Sequence, residues 1–219
     1  MTFALKSVDE LFPTPLLRYE IGDAERLNAT LLKEIAARRM AEPGVTRSNF
    51  GGWHSANDFF ARNEPGHAAL AIDLLRMMAE ATRRFDPTAD YSKARLIADG
   101  WVNINPPGAY NGPHDHKTAF WSGTYYVDTP PGEGSSGMIE FLTPLRPLPG
   151  NGVVGGPLTA EVFGVRPTAG LAIIFPATIQ HWVHPNQSQQ DRVTIAFNGR
   201  FEPKAPAISL RPGAAPPRS

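Results

Sequence analysis

The chain has 219 residues, no cysteine, and 21 basic against 21 acidic side chains. That length suits one domain with a sizeable core. The balanced charge provides no basic stripe for nucleic acid, and the lack of cysteine excludes disulfides, thiolate metal sites and a cysteine nucleophile. No apolar run approaches the ~20 residues of a membrane span, and the first residues have neither the basic nor the apolar region of a signal peptide, so a cytoplasmic location is expected.

Leu11 to Tyr19 holds Phe12-Pro13-Thr14-Pro15 and then Leu16-Leu17, which reads as an extended lead-in strand. Asp23 is placed to cap a helix, along which Leu27, Leu31, Ile35 and Met40 recur at roughly helical spacing before the stop at Pro43-Gly44. Residues 44–64 are loop-like, with a short helix around Asn57 to Arg62. Pro65 opens a second helix at its first position. Leu70, Leu74, Met78, Ala81 and Phe85 mark the buried face of that helix, and Pro87 ends it.

From residue 93 the pattern changes to strand-like runs separated by Pro/Gly turns: Arg95–Asn105, Thr118–Asp128, Met138–Leu142, Leu158–Val165, Gly170–Phe175, His181–His184 and Arg192–Phe201. Strands without intervening helices predict an antiparallel sandwich or jelly roll. The expected organisation is one mainly β domain over 1–204, helical over 20–90 and with its jelly-roll core at 93–201. A loose Pro/Ala-rich tail follows at 205–219.

Chemistry concentrates in two histidine clusters, Gly112-Pro113-His114-Asp115-His116 and Gln180-His181-Trp182-Val183-His184. Histidines spaced by two project to one side of an extended chain, and a third can complete one face of a metal's coordination shell. His114, His116 and His181 are the preferred ligand set. Asp115 is the rival for a two-His, one-carboxylate triad, but adjacent residues on a strand point to opposite faces. His184 has the wrong strand parity relative to His181 and is read as a rim histidine.

Arg192 and Thr194 share a face of the last strand, where a guanidinium fork and a hydroxyl suit the far carboxylate of a dicarboxylic keto acid. The alternative is a surface Arg192 paired with Asp191 or Glu202. Asn198 continues the Arg192 face, and Asn103 shares a face with Asn105 on an earlier strand. Of Tyr125 and Tyr126, one faces inward. Tyr126, Asn105 and Asn198 complete the candidate cofactor-side set. Trp53 and His54 sit in a Gly-containing loop, read as a core plug in preference to a substrate lid.

These motifs resemble the iron(II)- and 2-oxoglutarate-dependent oxygenase superfamily, in particular its bacterial branch related to prolyl 4-hydroxylases. The resembling pieces are Ser48 to Ser55, Trp101 to Gly108, His114-Asp115-His116, Ser122 to Val127, Phe175-Pro176, His181-x-Val183-x-Pro185 and Arg192 to Asn198. The resemblance implies a double-stranded β-helix with N-terminal helices against its major sheet. It also implies iron(II) as cofactor and 2-oxoglutarate as cosubstrate, with oxidation of a C–H bond in a small-molecule or peptidyl substrate. His114 matches the first ligand, His181 the distal one, Arg192 the carboxylate anchor and Thr194 its hydroxyl partner. His116 departs from the pattern, since most of the superfamily has Asp or Glu there. An imidazole at that position leaves the metal–protein unit one charge more positive.

Two other readings fit the same residues. One is a cupin-like three-His metalloenzyme that ignores 2-oxoglutarate and has no use for Arg192. The other is a non-catalytic jelly-roll domain that binds a ligand without turnover. No nucleic-acid or membrane partner is expected, and exposed sheet edges are compatible with a homodimer.

Overall fold

The computed structural model describes residues 4–204; the expected loose tail at 205–219 lies outside them. The lead-in forms strand β1 (Leu17–Glu20), shorter than predicted. Helix α1 (Ala24–Ala41) and helix α2 (Pro65–Phe85) follow, with a short 3-10 turn at Phe59–Ala61 between them. No helix among the described residues is long and apolar enough to cross a membrane.

Helix α1 corrects two expectations. Asp23 makes no capping hydrogen bond; it takes the left-handed conformation (φ 56°), and its carboxylate pairs with Arg26 at 2.6 Å. Met40 is 90% exposed rather than buried. Five residues beyond Ile35, at ~100° each, rotate it well off the Leu31–Ile35 stripe. Arg38 takes the buried position instead and pairs with Glu42 at 2.9 Å and Asp58 at 2.5 Å. In α2, Leu70, Leu74, Met78 and Ala81 are buried as predicted, whereas Phe85 in the last turn is half exposed.

The remaining strands are β2 (Asn49–Phe50), β3 (Trp53–His54), β4 (Ala94–Asn105), β5 (Tyr110–His114), β6 (Trp121–Asp128), β7 (Ile139–Leu142), β8 (Val162–Val165), β9 (Leu171–Pro176), β10 (His181–Val183) and β11 (Arg192–Pro203). They form a larger sheet, β1-β9-β6-β11-β4-β3, and a smaller one, β2-β5-β10-β7-β8. Every recorded pairing is antiparallel. The architecture is a double-stranded β-helix with helices packed on the larger sheet.

Strand parity divides the larger sheet chemically. Val193, Ile195 and Phe197 of β11 face the helices, together with Val102 and Ile104 of β4, and pack on Leu31, Ile35, Leu70, Leu74 and Met78. Gly123 on β6 permits this approach, because a Cβ there would lie 2.3 Å from the Phe197 ring and 2.5 Å from the Ile173 carbonyl oxygen. The opposite face looks between the sheets, where Tyr126, Ile139, Phe141, Ile173 and Phe175 form a second apolar cluster.

The helix–sheet layer carries much of the stability. Leu74 is fully buried, so Leu74→Ala is expected to cost about 2–5 kcal/mol through lost transfer energy and a residual cavity. Met40→Ala, at an exposed site, should stay within about 0.5 kcal/mol of the parent. Urea unfolding followed by circular dichroism measures both.

Candidate metal centre

Antiparallel pairing of β5 with β10 sets His114 directly opposite His181. His116 lies just beyond the end of β5 in a turn. Its backbone N–H donates to the Ala177 carbonyl at 2.9 Å, and its own carbonyl accepts from the Ala119 N–H at 2.9 Å. The turn, rather than a continuing strand, brings His116 to the same point. Ring centroids are 4.5 Å apart for His114–His181, 5.0 Å for His114–His116 and 5.4 Å for His116–His181. One nitrogen from each ring falls within 4.8 Å of the other two, and the grouping does not include Asp115.

Two of the rings are oriented by backbone. His114 Nδ1 lies 2.7 Å from the Gly112 carbonyl oxygen, and His181 Nδ1 lies 2.9 Å from that of Ile179. A carbonyl can only accept, so each Nδ1 carries the proton and each Nε2 keeps a free lone pair. Burial, reinforced by the other histidines, pushes the pKa of His116 down to about 4 and that of His181 down to about 3. Both rings are therefore neutral near pH 7 and available as ligands. Three nitrogen donors suit iron, zinc, copper or nickel.

The second pole of the site is Arg192. It is 3% exposed, and no acidic group among the described residues pairs with it. Asp191 pairs with Arg39 at 2.6 Å and Glu202 with Arg200 at 3.0 Å, so the surface-pair reading of Arg192 does not hold. The Arg192 guanidinium carbon stands 5.4 Å from the centre of the Tyr126 ring. Arg192 Nε and the Tyr126 hydroxyl are both buried without a hydrogen-bond partner. Burial raises the Tyr126 phenol to about 12, while the neighbouring Arg192 charge pulls it the other way. Gly137, at φ 62°, lies against the Arg192 side chain, where a Cβ would come within 2.9 Å of Arg192 Cδ.

Register explains the grouping. Thr194 stands between Asn103 on β4 and Tyr126 on β6, and Ala196 stands between Trp101 and Thr124. These residues line one cavity with the three histidines and Arg192. Tyr126 is thus the inward member of its pair, while the Tyr125 hydroxyl donates to Asn28 Oδ1 at 2.6 Å on the helix side.

Asn105 and Asn198 lie on the same sheet face without lining the cavity; Asn103 lines it. Asn105 Nδ2 donates to Asn49 Oδ1 at 2.8 Å, and Asn49 Nδ2 donates to Asn103 Oδ1 at 3.3 Å, a buried amide ladder that ends at the cavity wall. Asn198 Nδ2 lies 3.4 Å from His116 Nδ1.

His184 stacks on Trp182 at 4.0 Å and meets Glu140 at 3.1 Å, away from the cavity. The Trp53 indole N–H donates to the Glu42 carbonyl at 3.1 Å, and the ring packs on the helix–sheet core as a plug. His54 stacks on Trp101 at 5.4 Å and lines the cavity with Ser48 and Asn111. Asn111 had no distinguishing signal in the sequence, and Ser48 entered only as the first residue of the Ser48 to Ser55 piece. Ser48 lies in a bend before the two-residue strand β2, and Asn111 in a strand too rich in Gly and Pro to be recognised.

Residues 99–198 match the model of a family described as "Putative 2OG-Fe(II) oxygenase". Among solved structures, the fold is similar to a prolyl-4-hydroxylase from Pseudomonas putida, at 17% identity, 84% coverage of this chain, 91% of that one and a TM-score of 0.56. It is similar also to AviO1 from Streptomyces viridochromogenes Tue57, at 17% identity, 88% and 92% coverage and a TM-score of 0.57. A third, HygX from Streptomyces hygroscopicus, was solved with nickel and 2-oxoglutarate bound; it is 13% identical, with 85% and 83% coverage and a TM-score of 0.56. No curated protein matches in sequence. Residues 99–198 thus carry the pattern of that family, and the solved structures share the fold of the chain.

The histidine pKa values set a pH dependence. His116 and His181 titrate lower in the folded protein than in the unfolded chain, so falling pH favours protonation of the unfolded state. Stability of the metal-free protein is therefore fully present above about pH 6.5. It is lost progressively as pH falls toward the folded values of about 4 and about 3. His181→Gln should flatten that fall, as read by urea unfolding at a series of pH values.

Proposed function

We propose that the chain is a non-haem iron(II)- and 2-oxoglutarate-dependent dioxygenase that hydroxylates a C–H bond of a small-molecule or peptidyl substrate. The observation that carries this reading is Arg192, a buried guanidinium without an acidic partner, in the same cavity as a three-histidine cluster. An uncompensated buried charge is costly, so the site is complementary to an anion. A ligand carrying one carboxylate for Arg192 and a chelating end for a metal fits both poles. The family match and the fold support the same assignment.

In this reading His114, His116 and His181 hold iron(II) through neutral imidazoles. Arg192 takes the far carboxylate of 2-oxoglutarate as a charge-assisted fork, with the Thr194 hydroxyl beside it. The unpaired Tyr126 hydroxyl offers a further hydrogen bond at that end. Bound iron, 2-oxoglutarate and oxygen supply the oxidising power, with decarboxylation of the keto acid to succinate. The protein's own contribution is orientation and exclusion of water. Tyr126 and Ile139 wall the cavity on the cosubstrate side, and Trp101 screens His116 at a centroid distance of 5.8 Å. Ser48, His54, Asn103 and Asn111 provide a neutral polar wall for the substrate.

The test is anaerobic titration with iron(II) and then 2-oxoglutarate, followed by visible absorption. A metal-to-ligand charge-transfer band is expected in the parent. Arg192→Ala should retain iron yet weaken 2-oxoglutarate binding by about 100-fold or more, as expected when one partner of a buried charge pair is removed. His181→Ala should lose the iron itself. Iron binding without the band would sink the 2-oxoglutarate assignment.

A further inference from the structure

We infer that a second pocket, on the outer side of Arg192, is an anion site for a small, doubly charged oxyanion, and that its occupancy weakens 2-oxoglutarate binding in the metal cavity. The site itself stands on residues outside that cavity. Its coupling rests on the function proposed above.

Arg192 lines both the metal cavity and an outer pocket of about 230 Å³, and no other residue lines both. Arg166 lines the outer pocket as well, so two guanidiniums share it. Its lining holds no acidic side chain. Asp128 and Glu133, close by in sequence, make no ion pair with either arginine among the described residues. Arg166 is exposed and donates through Nη2 to the Gly134 carbonyl, which leaves further N–H groups for a ligand.

The charge of Arg192 lies close behind the pocket surface. Its Nε is buried with no hydrogen-bond partner. Gly137 abuts that atom, since a Cβ there would stand 3.2 Å from Nε. Gly137 lines the outer pocket and not the metal cavity, so the orphaned N–H edge is on the outer side. Two half-buried hydroxyls, Thr129 and Ser136, join the lining. Ser136 Oγ accepts from the Gln187 backbone N–H at 2.8 Å and keeps its own hydrogen to donate. Gly132 makes room for it, because a Cβ there would lie 2.3 Å from Ser136 Oγ.

The pocket thus gathers two cations and two hydroxyls without a counter-charge. An oxyanion seated on Arg166, with the Arg192 charge behind it, offsets the repulsion between the two guanidiniums. It also draws on the same Arg192 charge that holds the far carboxylate of 2-oxoglutarate on the inner side. Two anions on opposite sides of one buried guanidinium repel each other, so each lowers the affinity of the other by the same factor.

Sulfate compared with chloride at one ionic strength tests this. In the iron-free protein, 1H–15N NMR should show saturable sulfate shifts at the backbone amides of Gly132 and Gly137 and at the Arg166 Nε–H. Arg166→Gln, at an exposed site, should fold as the parent and lose the glycine shifts; Arg166→Lys, which keeps the charge, should restore part of them. Malonate in place of sulfate tells a carboxylate ligand from a phosphate-type one. In the iron(II) protein, saturating sulfate should weaken 2-oxoglutarate binding, read from the charge-transfer band, by about 5-fold or more in the parent. In Arg166→Gln it should do no more than chloride. Equal weakening in parent and Arg166→Gln would put the sulfate inside the metal cavity and overturn the outer site, as would the absence of any sulfate-specific shift. Sulfate shifts with unchanged 2-oxoglutarate affinity would overturn the coupling. Sulfate shifts in a parent that gives no charge-transfer band would overturn the 2-oxoglutarate reading and leave the anion site standing.

Discussion

The antiparallel contact between β5 and β10 is the constraint on which the site depends. It sets His114 across from His181, and the turn after β5 folds His116 back to the same point. The pairing also ties β5 to the smaller sheet between β2 and β10, so backbone hydrogen bonds fix two imidazoles before any metal arrives. An ion entering such a centre finds His116 and His181 already deprotonated by burial, and His114 and His181 already aimed. Little ordering entropy remains to oppose binding.

Charge is arranged with equal economy. The cavity lining holds one permanent cation, Arg192, and burial keeps His116 and His181 neutral near pH 7. With a divalent metal in place the region is strongly positive and calls for anions from outside the chain. A dianionic keto acid supplies both of the charges that a carboxylate-ligated centre would supply only in part. With an imidazole at His116 the protein itself brings no negative charge to that centre, so in the proposed function the balance falls to the dianionic keto acid. Gly137 keeps the peptide backbone close over Arg192, which limits the water able to screen that charge.

Much of this was legible in the chain. Helix α2 was readable from Pro65 to Phe85, since a strong stripe is bounded by two prolines. Strands β4 and β11 were readable from their apolar alternation, and parity alone put Arg192 and Thr194 on one face. Three features were hidden for identifiable reasons. β2 and β3 are two residues each, too short to show a period. β5 contains Gly112 and Pro113, which read as a loop until the neighbouring strands are known. Helix α1 buries Arg38, a residue that hydrophobic patterning cannot place because ion pairs compensate its burial. At the site, sequence parity could not choose between Tyr125 and Tyr126, whereas the β6–β11 register does so at once. Parity put Asn103 and Asn105 on one face of β4, opposite Thr194 and Arg192, and of the two Asn103 lines the cavity.

The cavity is built from two stretches of chain, one inside the segment that carries the family's pattern and one before it. The three histidines, Tyr126, Arg192 and Thr194 all lie within residues 99–198, the part that carries the family's pattern. Ser48 and His54 reach the same cavity from the 44–64 segment, which lies outside it. The polar wall of the cavity is thus shared between the two stretches, with Ser48 and His54 from one and Asn103 and Asn111 from the other. A change at Ser48 or His54 therefore alters the shape of the cavity mouth without touching the three histidines, Arg192 or Thr194.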